Sequence, residues 1–216
     1  IELRNVALVK LDGNLMGEFF AEAVSPSDYF ERSIRTDLSL KKAYEEAVKT
    51  LYYSIRKIGE EEAKETISFV KLGTLYMGGD DALLLLPSWV SLPFVSLLND
   101  EFTKNMGGKR SLSIGLIVAS PRHDIWLLID AANSLMKIAK ERARKEGLVG
   151  CLCYDIVESG VISGHSSKWR LNSLKKMRLS MQPLLLTSDV SKASTLRKLF
   201  DTIFPEAKGD YEQLFQ

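Results

Sequence analysis

Leu75-Tyr76-Met77-Gly78-Gly79-Asp80-Asp81-Ala82-Leu83-Leu84-Leu85-Leu86-Pro87 is an apolar run cut in the middle by two glycines and two aspartates. Glycine accepts the positive φ of a tight turn and apolar residues fill paired strands, so the stretch predicts a hairpin with strands over 74–77 and 82–86. Adjacent carboxylates at the tip repel each other unless solvent or a cation offsets their charge. The turn is therefore either a solvated acidic tip or part of a divalent-metal site, and the rest of the chain decides between them.

Upstream, Asn5 to Leu11 is a β-branched and leucine-rich strand ending at Asp12-Gly13-Asn14, and Leu15 to Val24 has helical spacing up to Ser25-Pro26. A carboxylate thus stands at the mouth of a strand-to-helix connection, where free N–H groups of a helix start can hold phosphate oxygens. After Ser27-Asp28 a short helix is expected. A long amphipathic helix follows over 38–57, with Leu40, Ala43, Tyr44, Ala47, Val48, Leu51 and Tyr52 on one face. Gly59 with Glu60-Glu61-Glu62 reads as a solvated loop, and Ile67 to Leu72 as an irregular strand leading into the hairpin.

Downstream, Val90 to Met106 reads as a helix stopped by Gly107-Gly108, and Ser111 to Ala119 as a nearly all-apolar central strand. Asp124 to Lys145 is a long helix with Leu127, Leu128, Ala131, Leu135, Ile138 and Ala139 inward. Its basic end, Lys137, Lys140, Arg142, Arg144 and Lys145, is what a helix C-terminus favours. On the strand 150–157, Cys151 and Cys153 point to one face as buried thiols, since two cysteines without paired histidines cannot complete a zinc site. Beyond it come turn signals at Ser159-Gly160 and Ser163-Gly164, an exposed basic run from His165 to Arg178, a short strand over 181–186 and a last helix, Ser191 to Phe204, capped by Ser191. The expected division is a domain over 1–158 and a C-terminal extension over 159–216.

At 216 residues, 45% hydrophobic and 26% charged, the chain is sized for one domain with an appendage and a single active site. A net charge of +1 excludes the global field of a nucleic-acid coat or a membrane-surface protein. No apolar run approaches the roughly 20 residues that span a bilayer, and Ile1-Glu2-Leu3-Arg4-Asn5 has no signal-peptide layout, so a cytoplasmic protein is expected. The start at Ile1, close to a strand, reads as an excised domain.

The order of strand, two helices, strand, strand, helix, strand is a ferredoxin-like palm, an α+β fold with helices packed on an antiparallel sheet, here with a small C-terminal appendage. In that topology the first two strands run the same way with the hairpin's return strand between them. Asp12 then lands beside Asp80 and Asp81. Carboxylates on rigid strand ends suit two Mg2+ or Mn2+ ions, one lowering the pKa of an attacking hydroxyl and the other stabilising a leaving pyrophosphate. The residues thus point to metal-dependent nucleotidyl transfer.

The motifs Asp12-Gly13-Asn14-Leu15-Met16-Gly17, Tyr76-Met77-Gly78-Gly79-Asp80-Asp81-Ala82-Leu83, Ser113-Ile114-Gly115-Leu116-Ile117-Val118-Ala119 and Ala139-Lys140 resemble the second palm domain of the large subunit of type III CRISPR effector complexes, a relative of GGDEF-type and class III nucleotide cyclases. The resemblance covers about residues 1–160 and implies polymerisation of ATP into cyclic oligoadenylates, a second messenger of antiviral defence. It implies that Asp12 and Asp80 ligate the metals and that Asp81 completes the site or positions the 3′-hydroxyl. Gly78 and Gly79 let the nucleotide approach. The backbone of Gly13, Asn14 and on to Gly17 cradles phosphates, Lys140 neutralises the triphosphate and Ser113 lies near the base.

The implied partners are ATP, other subunits of a CRISPR ribonucleoprotein, a second palm in cis or in trans, and RNA only through the assembled complex, with no membrane. Departures from the family pattern are Asp81-Ala82 in place of the end of GGDEF, and Asn14 where relatives often carry an acid. His123-Asp124 is not an HD-type nuclease, because the chain's only histidines are His123 and His165. A single palm holds one nucleotide, so this fragment is expected to bind ATP and turn over slowly. The competing readings are a catalytically degenerate scaffold within the complex and a free-standing homodimeric cyclase.

Overall fold

The computed structural model describes residues 5–147, 149–157 and 162–187. β1 (Val6–Gly13) buries Ala7, Val9 and Leu11 on one face and Leu8 on the other, so the sheet it belongs to is covered on both sides. α1 (Met16–Ala21) is short. α2 (Pro26–Arg56) is opened by the Ser25 hydroxyl, which accepts the Asp28 N–H at 3.1 Å, with proline in the first turn. The short helix expected after Ser27 and the long one expected from Leu38 are one helix, because no glycine or proline interrupts 27–56.

α3 (Glu60–Leu72) corrects both the expected acidic loop and the expected strand at Ile67 to Leu72. Glu60, Glu61 and Glu62 sit in its first turn, where acidic side chains favour the helix dipole, and Ala63, Thr66, Ile67 and Val70 are buried at helical spacing. β2 (Thr74–Gly78) and β3 (Asp81–Pro87) form the hairpin, and α4 (Ser88–Asn105) gives way to Gly107 and Gly108, both with positive φ. β4 (Leu112–Ala119) leads to α5 (Ile125–Lys145), whose N-cap Asp124 accepts the Trp126 N–H at 2.8 Å. That hydrogen bond gives Asp124 its place in the fold. β5 (Gly150–Val157), α6 (Gly164–Lys176) and β6 (Leu184–Leu186) complete the described chain.

The strands lie in the order β2-β3-β1-β4-β5-β6, antiparallel except for β4 and β5, which α5 links as a crossover and which therefore run parallel. α2, α3 and α4 cover one face around Leu40, Phe94 and Phe102, and α5 and α6 cover the other around Leu128, Leu135 and Leu171. α5 lies directly on β4, since a Cβ on Gly115 would come within 2.0 Å of the Ala132 carbonyl oxygen. Leu127 points outward at 44% exposed, against the expected inward face, while Leu128, Ala131, Leu135 and Ala139 are buried as their spacing implies. Cys151 and Cys153 are buried thiols outside any disulfide.

The described part of the C-terminal extension, residues 162–187, joins the same body, with β6 pairing with β5 and Leu171 and Leu185 entering the core under α5. Within the basic run, Arg170 is ion-paired with Asp155 at 2.5 Å. The expected turn at Ser159-Gly160 and the expected helix from Ser191 lie outside the described residues. Among the described residues no helix is long and apolar enough to cross a membrane.

Candidate active site

β1 and β3 pair so that Asp12 stands opposite Asp81, and β2 pairs with β3 so that Gly78 stands opposite Asp81. Directly opposed residues on neighbouring strands share a face, so Asp12 and Asp81 project on the same side of the sheet as α5. Gly79, with φ 61°, and Asp80 form the two-residue tip. The end of β1 presses on that tip, because a Cβ on Gly13 would lie 2.8 Å from Asp80 Oδ2 and 2.6 Å from Met16. Asp12, Asp80 and Asp81 are thus brought together by register and by a glycine contact.

Each of the two opposed carboxylates has its own ammonium partner. Lys140, from α5, is ion-paired with Asp12, and Lys10, two residues before Asp12 on β1, is ion-paired with Asp81. Burial, and after it the charge of Asp12, pushes the Asp80 carboxyl above its ordinary value, against the pull of its own backbone N–H and of Lys140. Of the three carboxylates, Asp80 alone stands outside an ion pair among the described residues, and its raised proton affinity reflects burial and the neighbouring Asp12 charge. Carboxylate oxygen donors suit a hard divalent cation. Among the described residues, however, no three His, Cys, Asp or Glu side chains are grouped to hold an ion as they stand. The donor set fits Mg2+ or Mn2+ in kind, and the two lysines hold two of its three members.

A cleft of about 700 Å³ opens beside the cluster, bounded by Gly13, Leu15, Met16, Gly17, Glu18, Phe20, Asp80, Lys140 and Arg144. Gly17 faces open space, with nothing within 4 Å of a Cβ built on it, and Leu15 opens α1 from a left-handed φ of 56°. Lys140 and Arg144 are one helical turn apart and both line the cleft.

Asn14 and Ser113 are placed differently from expectation. Asn14 is 2% exposed, donates from Nδ2 to Ser111 Oγ at 2.9 Å and accepts from Ser113 Oγ at 2.5 Å, while its N–H donates to the Ser111 carbonyl at 2.8 Å. Ser113 is fully buried. Their side chains tie the turn after β1 to β4 and have no surface to offer a nucleotide. Gly78 lies under Tyr76, whose hydroxyl would be 3.1 Å from a Cβ at that position.

Three further residues shape the site. Lys10 was legible from strand alternation, which puts it on the face of Asp12. Arg144 follows Lys140 at i+4 on one helix face. Asp37, on α2, accepts the Gly79 N–H at 3.1 Å, and its other oxygen accepts from Lys41 at 2.7 Å, which holds its carboxyl below the usual value. Nothing local marks Asp37, because its partner lies 42 positions away.

The model of the Cas10/Cmr2 second palm domain family matches residues 5–149. Solved structures with a similar fold include a Csm1-Csm4 cassette in complex with cA3, at 22% identity and a TM-score of 0.50 over 68% of this chain and 20% of that chain. Another is a Csm1-Csm4 cassette in complex with pppApA, at 19% identity and a TM-score of 0.50 over 95% of this chain and 32% of that one. At such identities the likeness is one of fold. The chain spans about a fifth to a third of the length of these structures. No curated protein matches it.

Proposed function

The chain belongs to the Cas10/Cmr2 second palm domain family, the second palm of the large subunit of type III CRISPR effector complexes, and from that premise we propose that it is a nucleotidyltransferase palm that joins ATP into cyclic oligoadenylates. The observation that carries this reading is the meeting of Asp12, Asp80 and Asp81 with Lys140 at the rim of an open cleft. The cA3 and pppApA held by the Csm1-Csm4 cassettes support it at the level of a shared fold.

Asp12 and Asp80 would hold Mg2+ or Mn2+, with Asp81 joining them once Lys10 releases it. Bound there, such an ion supplies a lowered pKa to an attacking 3′-hydroxyl and charge neutralisation at a leaving pyrophosphate. The protein's own groups do the rest. Lys140 moves its charge from Asp12 to the triphosphate, Arg144 adds a second cation one turn further on, and Gly17 leaves the cleft wall uncrowded. The hairpin tip fixes Asp80 against Gly13, so the carboxylate is positioned before substrate arrives.

One palm holds one nucleotide, so the acceptor comes from a second palm, and other subunits of the ribonucleoprotein, with RNA bound through them, complete the assembly. Alone, the chain binds ATP with the cation and turns over slowly. A scaffold reading is favoured by one observation, the ion pairs that occupy Asp12 and Asp81. Calorimetric titration of ATP with Mn2+ separates the two. Binding heat that disappears in Asp80→Ala supports the enzyme, whereas no heat from the unaltered chain supports the scaffold. Mass spectrometry of products from each nucleoside triphosphate, with the full effector and target RNA, tests the choice of ATP.

A further inference from the structure

We infer that Asp37 is a positioning residue for the acidic hairpin, acting through the Gly79 amide; the inference deepens the metal-dependent reading above and rests on it. In a two-residue hairpin loop the N–H of the first loop residue points away from the ladder and needs an outside partner. Gly79 occupies that place with a left-handed φ of 61°. Its N–H donates to Asp37 Oδ1 at 3.1 Å. The direction in which Asp80 and Asp81 leave the turn therefore depends on a carboxylate carried by another element.

Asp37 is well suited to this role. Its side chain is 31% exposed, and its second oxygen is held by Lys41 at 2.7 Å, so the acceptor is both charged and restrained. The helix that carries it also anchors the other half of the site. Arg32, five residues earlier and about 7.5 Å along the helix axis, donates to the Phe19 carbonyl at 2.7 Å and lies over the Phe19 ring. α2 thus ties α1, which borders the cleft, to the tip that carries Asp80. The two halves of the candidate site, distant in sequence, are set relative to each other by one rigid rod.

The test is the affinity of the chain for Mn2+ in the presence of ATP, read from the electron paramagnetic resonance signal of free Mn2+. Outer-shell partners of metal ligands typically contribute about 10-fold or more to affinity, so Asp37→Ala weakens binding about 10-fold. Asp37→Asn retains an acceptor for the Gly79 N–H and restores affinity to within about twofold of wild type. Lys41→Ala, which removes the ion pair and leaves the acceptor, stays in the same range. The amide resonance of 15N-labelled Gly79 shifts in Asp37→Ala and not in Lys41→Ala. Wild-type affinity in Asp37→Ala, or equal losses in the Ala and Asn variants, overturns the positioning role while Mn2+ binding by the wild type keeps the functional reading intact. A wild-type chain that binds no Mn2+ with ATP overturns the functional reading, and the inference with it.

Discussion

Asp12 and Asp81 are register partners across the β1–β3 ladder, and each is held by a different lysine, Lys140 reaching in from α5 and Lys10 standing two residues earlier on β1. Like charges directly opposed on neighbouring strands destabilise a sheet. The lysines relieve that repulsion without filling the site, and their ammonium groups stand in competition with any cation that the carboxylates take up.

Removing the competitor on Asp81 therefore strengthens cation binding. A partly exposed ion pair contributes up to about 1 kcal/mol, or about fivefold in a binding constant, so Lys10→Met binds Mn2+ alone up to about fivefold more tightly. Lys140→Met frees Asp12 in the same way but loses a partner of the triphosphate, so its Mn2+ affinity rises while its affinity for Mn2+ with ATP falls. Titrations followed through free Mn2+ measure both. Weaker Mn2+ binding by Lys10→Met would show that Lys10 supports the ion instead of competing with it.

Asp80 gives a pH dependence of defined sign. Its folded carboxyl holds a proton more tightly than the unfolded one, because of burial and then the charge of Asp12. Folding takes up protons between the two pKa values, and stability falls as pH rises through them. In chelator-treated protein, Asp80→Asn raises the melting midpoint at neutral pH. The gain shrinks on acidification and is gone well below the ordinary value of 3.8, where the carboxyl is protonated in both states. Thermal melts across that range check this, and a gain independent of pH would mean that the Asp80 charge is not the cause. Asp80→Asn also loses Mn2+ binding, as expected where a functional charge costs stability.

The hairpin, the strand ending at Asp12 and the helix bearing Lys140 were legible because their signals are local: alternation with period two, a Gly-Gly-Asp-Asp turn and a long amphipathic stripe. Ile67 to Leu72 reads as a strand because a short apolar run fits a strand as well as a helix, and the chain makes it the end of α3. Burial of Ala63, Thr66, Ile67 and Val70 at helical spacing decided it. The resemblance implies a phosphate cradle from the backbone at Asn14 and a contact near the base at Ser113. The sequence holds no sign against either, because a polar residue at a strand end looks the same whether it points to solvent or to another polar group. Only the packing of β1 on β4 shows that Asn14 and Ser113 bond to each other. Asp37 left no trace in the sequence, since its role exists only when α2 lies across the hairpin tip.

Gly115 couples the sheet to the cleft. A methyl group there would meet the Ala132 carbonyl at 2.0 Å and the Met136 N at 2.4 Å, both backbone atoms of α5, so the helix must move away. Such overpacking costs about 1–3 kcal/mol. Lys140 follows Met136 by one turn and moves with it. Gly115→Ala accordingly lowers stability to denaturant by about that amount and weakens ATP binding, whereas Gly17→Ala, which meets nothing within 4 Å, leaves stability nearly unchanged. Unchanged ATP affinity in a folded Gly115→Ala chain would show that the seat of α5 does not set Lys140.

Asn14 separates a structural brace from a lost metal ligand. If the position were a ligand site lacking its acid, Asn14→Asp would tighten Mn2+ binding by adding a carboxylate. The structure gives the opposite expectation. The side chain is 2% exposed, its Nδ2 donates to Ser111 Oγ and its Oδ1 accepts from Ser113 Oγ. An aspartate keeps the bond from Ser113 but loses the donor to Ser111, and it buries a negative charge two residues after Asp12, in the turn that follows β1. Burying a polar group without its partner costs about 1–3 kcal/mol, and a charge more, unless the carboxyl takes up a proton. Asn14→Asp is therefore destabilised at neutral pH, recovers part of the loss on acidification, and gains no Mn2+ affinity. Denaturant melts at two pH values together with one Mn2+ titration decide the matter, because tighter Mn2+ binding with unchanged stability would place residue 14 in the metal site after all.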